Sequence, residues 1–182
     1  MEIIQTAIPG VIVFVPPVFT DSRGYFLETY QQQKYTEAGI PKPFVQDNQS
    51  YSTKNVLRGL HFQLRHPQGK LVRVTQGSVF DVAVDVRKNS PTFGKWHGEI
   101  ISAENKKQMY IPENFAHGFC VLSDSAEFLY KCTDFYTPGD EVGFAWNDPQ
   151  LGIEWPVEHP ILSAKDGILP SWAAVLDLLP TD

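Results

Sequence analysis

A histidine and a lysine on neighbouring predicted β-strands are the residues of this chain whose chemistry stands out. The histidine lies in the run Arg58-Gly59-Leu60-His61-Phe62-Gln63, and Lys70 follows a short turn that ends at Gly69. Strand alternation puts His61 on one face with Gly59 and Gln63, and Arg58 on the other. A strand aims an imidazole rigidly, as proton transfer requires. A base beside a cation can remove a proton from the carbon next to a carbonyl and stabilise the enolate.

Length, charge and cysteine content limit the classes of protein that fit. The chain has 182 residues, which suits one domain spanning residues 1–182, and its formal net charge is −6. The acidic balance argues against nucleic-acid and membrane-surface binding, and no apolar run reaches the ~18 residues of a transmembrane helix. The N-terminus lacks a basic signal-peptide segment, and Cys120 and Cys132 lack metal-binding spacing. We therefore predict a cytoplasmic protein with reduced cysteines.

Short runs rich in Val, Ile, Phe and Tyr are punctuated by 14 prolines and 13 glycines, a pattern typical of an all-β protein. A hairpin is predicted from residues 71–75 and 79–87, and one face of its second strand carries Asp81 and Asp85. If that face lines a cavity, we expect Asp81 to orient Lys70. If it faces solvent, the aspartates have no role.

The remaining elements complete the predicted architecture. Helices are predicted at residues 29–38 and after Ser171. Further strands are predicted at residues 3–8, 11–15, 25–28, 45–51, 95–102, 107–111, 116–122 and 127–135. So many strands indicate a double-stranded β-helix, or jelly roll, of cupin-like architecture with short N- and C-terminal helices.

A metal site is one alternative for His61. A metal-binding cupin needs two or more converging histidines and a carboxylate, typically as His-x-His on one strand. Gln63, a poor ligand, occupies the second of these positions, and His117 is left as a lone second imidazole. We therefore predict no metal and no other cofactor. A hydrogen-bonded structural histidine and a solvent-exposed Lys70 are the simplest alternative interpretations.

Three further segments carry polar side chains on strand-like sequence. Residues 21–28 include Arg23 and Glu28, residues 46–48 are Gln-Asp-Asn, and Tyr130 lies in an otherwise apolar strand. Each alone has an ordinary structural interpretation, as a surface ion pair, as hydrogen bonds at a strand end, or as a core tyrosine.

Together these motifs resemble the dTDP-4-dehydrorhamnose 3,5-epimerase family. The resemblance covers most of residues 1–166 and follows the family's order and approximate spacing. The matching segments are residues 21–28, 46–50, 58–63, 69–77, 112–122, 128–136 and 146–149. It implies a metal-free jelly roll that forms a homodimer and acts on a dTDP-linked 4-keto-6-deoxy sugar.

The resemblance also implies a role for individual residues. His61 looks like the family's base, Asp166 like the carboxylate that orients it, Tyr130 like the acid, and Lys70 like the cation near the C4 oxygen. Positions matching those that the family uses around the nucleotide and sugar are Arg23, Glu28, Gln46, Asp47, Asn48, Arg58, His117, Glu141 and Lys165. The segment from Arg23 to Glu28 is expected to reach the partner's site.

The implied chemistry agrees with these residue types. A C4 ketone acidifies the hydrogens at both C3 and C5, so one base and one cation can serve both centres. Inversion needs a donor on the opposite face, and a tyrosine with an ordinary pKa of about 10 is protonated at neutral pH. Arg23 and Arg58 offer fork-shaped donors for a diphosphate.

We therefore predict an isomerase that converts dTDP-4-dehydro-6-deoxy-D-glucose to dTDP-4-dehydro-L-rhamnose. Three alternatives remain. The first is an epimerase of the same family that inverts only C3 or only C5. The second is a non-catalytic sugar-nucleotide-binding module, which would not need an opposed acid and base. The third is a metal-dependent cupin oxygenase, which Gln63 opposes.

Overall fold

The computed structural model describes residues 1–181, in which two antiparallel sheets face each other. The first sheet has the spatial order β1 (Glu2–Gln5), β2 (Ile12–Val15), β10 (Gln108–Ile111), β7 (Lys70–Gln76), β12 (Ser125–Cys132) and β5 (Gln46–Thr53). The second has the order β13 (Glu141–Gly143), β6 (Leu57–Gln63), β11 (Phe115–Val121), β8 (Ser78–Asp85) and β9 (Trp96–Ser102). Strands β3 (Phe19–Asp21) and β4 (Gly24–Phe26) form a separate hairpin. The predicted cupin-like jelly roll is confirmed.

The central strands of each sheet, such as β10 and β11, are buried on both faces, which explains why they are rich in apolar residues. The facing sides form a central core in which Phe128 of the first sheet stacks on Phe119 of the second, with ring centroids 4.1 Å apart. Helix α1 (Gln32–Glu37) covers the outside of the first sheet with Tyr35. The C-terminal segment covers the outside of the second with Trp172 of helix α2 (Trp172–Val175). No helix within residues 1–181 is long and apolar enough to cross a membrane.

The predicted hairpin of residues 71–75 and 79–87 is wrong. β7 pairs with β10 and β12 in the first sheet, whereas β8 pairs with β11 and β9 in the second. The chain crosses between the sheets at Gly77, because both strands have an apolar face that the central core buries. The polar face of β8 therefore lies between the sheets, and Asp81 and Asp85 are fully buried.

The alternation predicted for β6 is interrupted by a bulge. His61 is paired with His117 and Arg58 with Phe119, so three steps along β6 match two along β11. The bulge is centred on Gly59, which has φ +108° and where a Cβ would lie 2.5 Å from the carbonyl oxygen of His117. As a result Arg58 and His61, predicted on opposite faces, both line the space between the sheets.

The smaller elements differ from the prediction in their lengths. α1 has six residues rather than the ten of the predicted helix at 29–38, and β13 is an additional strand. α2 has four residues and continues as a 3-10 turn, Leu176–Leu178. Strand β13 borders β6, and it is the element that brings Glu141 beside His61.

Candidate active site

A cavity of about 510 Å³ lies between the two sheets and contains nine of the thirteen predicted site residues. The second sheet and the C-terminal segment supply His61, His117 and Asp166, and the first sheet supplies Lys70 and Tyr130. The remaining four of the nine are Asn48, Arg58, Glu141 and Lys165. The strands that carry His61 and Lys70 are thus not paired neighbours but face each other from opposite sheets.

His61 and Asp166 form a hydrogen-bonded pair at one side of this cavity. The Nε2 atom of His61 lies 2.6 Å from Oδ1 of Asp166, a carboxylate that is only 5% exposed. Since an ionised carboxylate only accepts hydrogen bonds, it fixes the proton on Nε2 and leaves the lone pair on Nδ1. The pair therefore presents a base with one defined basic nitrogen.

The C-terminal segment brings Asp166 to β6 over a separation of 105 residues. The backbone N–H of Leu57 donates to the carbonyl of Ile161 at 3.0 Å, which ties the segment to the start of β6. The Asp166 N–H then donates to Oγ of Ser163 at 3.0 Å, at the start of a 3-10 turn, Asp166–Ile168. These two hydrogen bonds hold the segment that carries Asp166 in place beside β6.

Charged groups surround the other side of the His61 ring. Oε1 of Glu141 lies 4.0 Å from Nδ1 of His61 and forms an ion pair with Lys165. Burial lowers the pKa of His61 below its ordinary value, while the negative charges of Glu141 and Asp166 oppose that change. Burial alone would raise the pKa of Glu141, but Lys165 and His61 hold it below its ordinary value. His61 is therefore a neutral base at physiological pH.

The approach of β13 to His61 depends on a glycine. Gly143 is paired with His61, and a Cβ there would lie 3.0 Å from Cδ2 of the ring and 2.6 Å from the carbonyl oxygen of Leu60. A larger residue would push β13, and with it Glu141, away from the imidazole.

Tyr130 and Lys70 face this base from the first sheet. The Lys70 ammonium lies 6.0 Å from the centre of the Tyr130 ring. Burial raises the pKa of Tyr130, with smaller contributions from Cys132 and Glu141, so its hydroxyl stays protonated at neutral pH. Burial lowers the pKa of Lys70, and its interactions with three nearby acidic groups, Cys132, Glu141 and Asp81, oppose this. A proton donor and a cation thus lie across the cavity from the base.

A second histidine–aspartate pair lies beside the first. His117 is paired with His61 across β11 and β6, and its Nε2 lies 2.9 Å from Oδ2 of Asp81. The expectation that Asp81 orients Lys70 therefore needs correction, because the hydrogen bond goes to His117. The His117 ring stacks on Phe128 with centroids 5.9 Å apart and an interplanar angle of 23°.

Arg58 and Asn48 mark the part of the cavity that leads outward. Nε and Nη2 of Arg58 donate to Oγ of Ser52 at 3.1 and 3.0 Å, and Nη2 also donates to the carbonyl oxygen of Tyr51 at 3.5 Å, which leaves the two hydrogens of Nη1 available. Asn48 is paired with Tyr130 and accepts a hydrogen bond from Gln46 at 3.0 Å. A guanidinium fixed at a cavity wall suits an anionic group such as a diphosphate.

Four predicted site residues lie outside this cavity. Arg23 is on the β3–β4 hairpin and bonds to Asp21, Glu28 pairs with Lys34, and Asp47 pairs with Lys131. Gln46 accepts from the backbone N–H of Tyr136 at 2.9 Å. Within one chain these residues do not converge with His61.

Some of the cavity residues were not predicted from the sequence. Phe119 and Phe128 form an apolar wall, and the C-terminal residues Ile161 and Leu162 close another side. An aromatic residue on a buried strand gives no signal that distinguishes a cavity wall from ordinary core. Gln63, by contrast, bonds to backbone atoms of residues 66, 135 and 137 and supports the loops rather than the cavity. Residues 1–181 contain no cluster of three or more potential metal ligands.

The chain is similar to proteins of one known family. Residues 5–174 match the family model for dTDP-4-dehydrorhamnose 3,5-epimerase. The enzyme of that name from Shigella flexneri is 60% identical over 168 residues, covering 91% of this chain and 93% of its own. A Streptomyces niveus relative, 39% identical over 185 residues and covering 100% of this chain and 89% of its own, is named dTDP-4-dehydrorhamnose 3-epimerase.

Among solved structures, one strong match is the dTDP-6-deoxy-D-glucose-3,5-epimerase of Legionella pneumophila in complex with dTDP-4-keto-L-rhamnose. It is 50% identical, covers 100% of this chain and 98% of its own, and has a TM-score of 0.96. The whole double-sheet framework around the cavity is therefore shared.

Proposed function

This chain belongs to the dTDP-4-dehydrorhamnose 3,5-epimerase family. We propose that the residues of its cavity catalyse the epimerisation of the sugar through an enolate intermediate. The enzyme converts dTDP-4-dehydro-6-deoxy-D-glucose to dTDP-4-dehydro-L-rhamnose by inverting C3 and C5. The observation that carries the assignment of roles is His61, held by Asp166 at 2.6 Å and opposed by Tyr130 on the facing sheet. Sugar-nucleotide binding alone requires no such oriented base and opposed acid.

His61 removes the proton in this mechanism. Its neutral Nδ1 takes the hydrogen from C3 or C5, each of which is next to the C4 ketone. Lys70 faces the C4 oxygen and stabilises the negative charge of the enolate. Asp166 stabilises the imidazolium that forms and keeps Nδ1 aimed at the sugar.

Tyr130 returns a proton from the opposite face. Its hydroxyl comes from the first sheet, whereas the base comes from the second, so removal and return occur on different sides of the sugar ring. This difference inverts the carbon. The burial that raises the pKa of Tyr130 keeps the hydroxyl protonated until the enolate forms.

Substrate binding is assigned to the polar residues around this centre. Arg58 and His117 contact the diphosphate and sugar, with Asn48, Glu141 and Lys165 along the same cavity wall. Gln46 and Asp47 extend the contact surface along β5. No metal or other cofactor is assigned, because the base, acid and cation together account for the chemistry.

Arg23 and Glu28 act in a homodimer, in which each β3–β4 hairpin reaches the partner's cavity. This hairpin exposes three large aromatic residues, Phe19 at 63%, Tyr25 at 59% and Phe26 at 68%. So much exposed apolar surface on a protruding element is typical of an interaction site. The chain acts as one cytoplasmic domain spanning residues 1–182.

Mixing two inactive variants tests this dimer. His61→Asn and Arg23→Ala are unfolded together and refolded, which forms hybrids with one complete cavity. If Arg23 acts in the partner's cavity, activity should recover to about a quarter of wild type, since half of the dimers are hybrids with one intact site. No recovery, with hybrids detected by mass spectrometry, would place Arg23 in its own chain's site.

Solvent deuterium uptake tests the function itself. The enzyme is incubated with dTDP-4-dehydro-6-deoxy-D-glucose in deuterated water, and NMR follows C3 and C5 separately. We expect deuterium at both carbons and the L-rhamno product. Exchange at C3 alone would match the activity named for the Streptomyces niveus relative. No exchange, with dTDP binding intact, would identify a binding module.

A further inference from the structure

We propose that Asp81 is a positioning residue, which decides the nitrogen that His117 presents to the sugar. The proposal rests on the assigned epimerase function and extends it to a residue outside the set assigned above. Asp81 lies on β8 and is fully buried, with Oδ2 2.9 Å from Nε2 of His117. Its role follows from three features of this neighbourhood.

The first feature is the aromatic stack around His117. The imidazole lies against Phe128, with centroids 5.9 Å apart and an angle of 23°, and against Phe119, with centroids 6.3 Å apart. Stacking fixes the plane of the ring. It does not distinguish the two orientations that are related by a half-turn about the Cβ–Cγ bond, because each presents similar flat faces to the phenylalanines.

The second feature is the hydrogen bond that does distinguish them. An ionised carboxylate accepts from an N–H, so Asp81 selects the orientation and tautomer with hydrogen on Nε2. Nδ1 then has no hydrogen-bond partner within residues 1–181, and because His117 lines the cavity, we infer that this nitrogen is the one offered to a ligand there. The free nitrogen is an acceptor, and the substrate class offers hydroxyl donors at C2 and C3.

The third feature is the surroundings of Asp81 itself. The neighbouring side chains on the same face of β8 are Val79 and Ala83, both in the central core. Oδ1 of Asp81 is buried without a hydrogen-bond partner among residues 1–181. Oδ2 is satisfied by His117 and the charge of Asp81 also acts on Lys70, but a buried oxygen without a partner costs stability, which indicates a task beyond packing.

The position of His117 explains how this contact affects the reaction. His117 is paired with His61, so a sugar hydroxyl held by Nδ1 of His117 sets the rotation of the ring above the base. C3 and C5 lie on opposite sides of the ketone and must both reach His61. A change in that rotation therefore favours one carbon over the other.

Asp81→Asn tests the proposal, with Asp85→Asn as the matched control. Both aspartates are fully buried on β8, but Asp85 bonds to Arg87, Ser90 and Thr92 away from the cavity. We expect Asp81→Asn to slow total exchange about 10–100-fold and to change the ratio of C3 to C5 exchange by about threefold or more. Asp85→Asn should lower the melting temperature and leave that ratio unchanged. Partial unfolding changes both rates in equal proportion, so a wild-type ratio in Asp81→Asn would overturn the proposal.

A double variant locates the route of the effect. If Asp81 acts through His117, then His117→Gln should change the same ratio, and adding Asp81→Asn to it should change nothing further. If the double variant instead changes the ratio by the product of the two single effects, the proposal is overturned. If Asp81→Asn has no effect when added to a Lys70 variant, Asp81 acts through Lys70 instead. Wild-type exchange at both carbons is measured first, so failure of the proposed function is seen separately.

The wild-type enzyme offers a test that needs no buried substitution. Histidine labelled with ¹⁵N reports which ring nitrogen carries hydrogen, and the spectrum of His117→Gln identifies the signal of His117. We expect hydrogen on Nε2 and a free lone pair on Nδ1. Hydrogen on Nδ1, alone or with Nε2, would overturn the proposal.

Discussion

Two histidine–aspartate pairs lie side by side in the cavity, and they share a geometry while differing in their surroundings. In each, the aspartate binds Nε2, at 2.6 Å for His61 and 2.9 Å for His117. Asp166 comes from the C-terminal segment, whereas Asp81 comes from a strand next to that of His117. In both pairs the hydrogen bond engages Nε2 and leaves Nδ1 for another partner.

What surrounds each pair separates their roles. His61 has the carboxylate of Glu141 nearby as well as that of Asp166, so the positive charge it gains with a proton is offset by two negative groups, although Lys70 opposes it. Beyond its contact with Asp81, the His117 ring lies against two phenylalanine rings, which offer no second compensating charge. The comparison teaches that the pair sets the direction of a nitrogen, while the neighbouring charges determine whether that nitrogen moves a proton.

Replacing the base should give the largest effect. His61→Asn should reduce both epimerisations by about 10²–10⁴-fold, or roughly 3–5 kcal/mol of activation barrier, because no group remains to accept the proton. Affinity for dTDP, measured by calorimetry, should stay near that of wild type. His117→Asn is the comparison variant and should retain measurable exchange at both carbons. Equal losses in the two variants would remove the distinction between the pairs.

The acid opposite His61 gives the next effect. Tyr130→Phe should lower inversion by about 10²-fold while the base and cation still form the enolate. His61 then returns the proton, or a solvent deuteron, to the original face. NMR of recovered substrate should show deuterium with retained configuration. If exchange and inversion decline together, Tyr130 is not the separate acid.

Asp166→Asn should slow turnover by about 10–100-fold, because an amide no longer enforces the tautomer of His61. It also removes a negative charge that raises the pKa of His61, whereas Glu141 and Lys70, which face the same ring, remain. In wild type the pKa of His61 lies below its ordinary value, so activity should fall only below about pH 6.5. The acid limb of kcat/KM should move to lower pH in the variant. A limb that moves upward would contradict this charge assignment.

The smallest effect should come from removing metal ions. His61 and His117 are paired across neighbouring strands, so a metal ion bound by both imidazoles would give the two pairs the same role. Each Nε2 is already engaged by its aspartate. Dialysis against a strong chelator should therefore leave activity unchanged, as measured by turnover and elemental analysis. If activity is lost and then restored by one divalent ion, the two pairs form a metal centre and the distinction between them is wrong.

The sequence predicted the jelly roll and the residues of the first pair, but not the arrangement around them. Short punctuated runs identify β-strands, and His61, Lys70 and Tyr130 are recognisable by their motifs. Asp166 was predicted through family resemblance alone, since a separation of 105 residues leaves no local signal.

Two failures have a common physical cause. The supposed hairpin of β7 and β8 and the alternation of β6 were inferred from local periodicity, which does not report which sheet a strand joins. The bulge at Gly59 adds one residue to the pairing and turns Arg58 toward His61. The partner of Asp81 was likewise decided by the register of β8 against β11, a property of tertiary structure.

The attachment of the C-terminal segment to β6 has a consequence for the order of events during synthesis. His61 leaves the ribosome 105 residues before Asp166, together with enough chain to begin β6. Every strand of both sheets precedes Asp166, so the framework can assemble while the imidazole still lacks its carboxylate. Docking of Ile161 against β6 then completes the base. The order of synthesis thus places the His61–Asp166 pair, and the covering of the second sheet by Trp172, after the strands of both sheets.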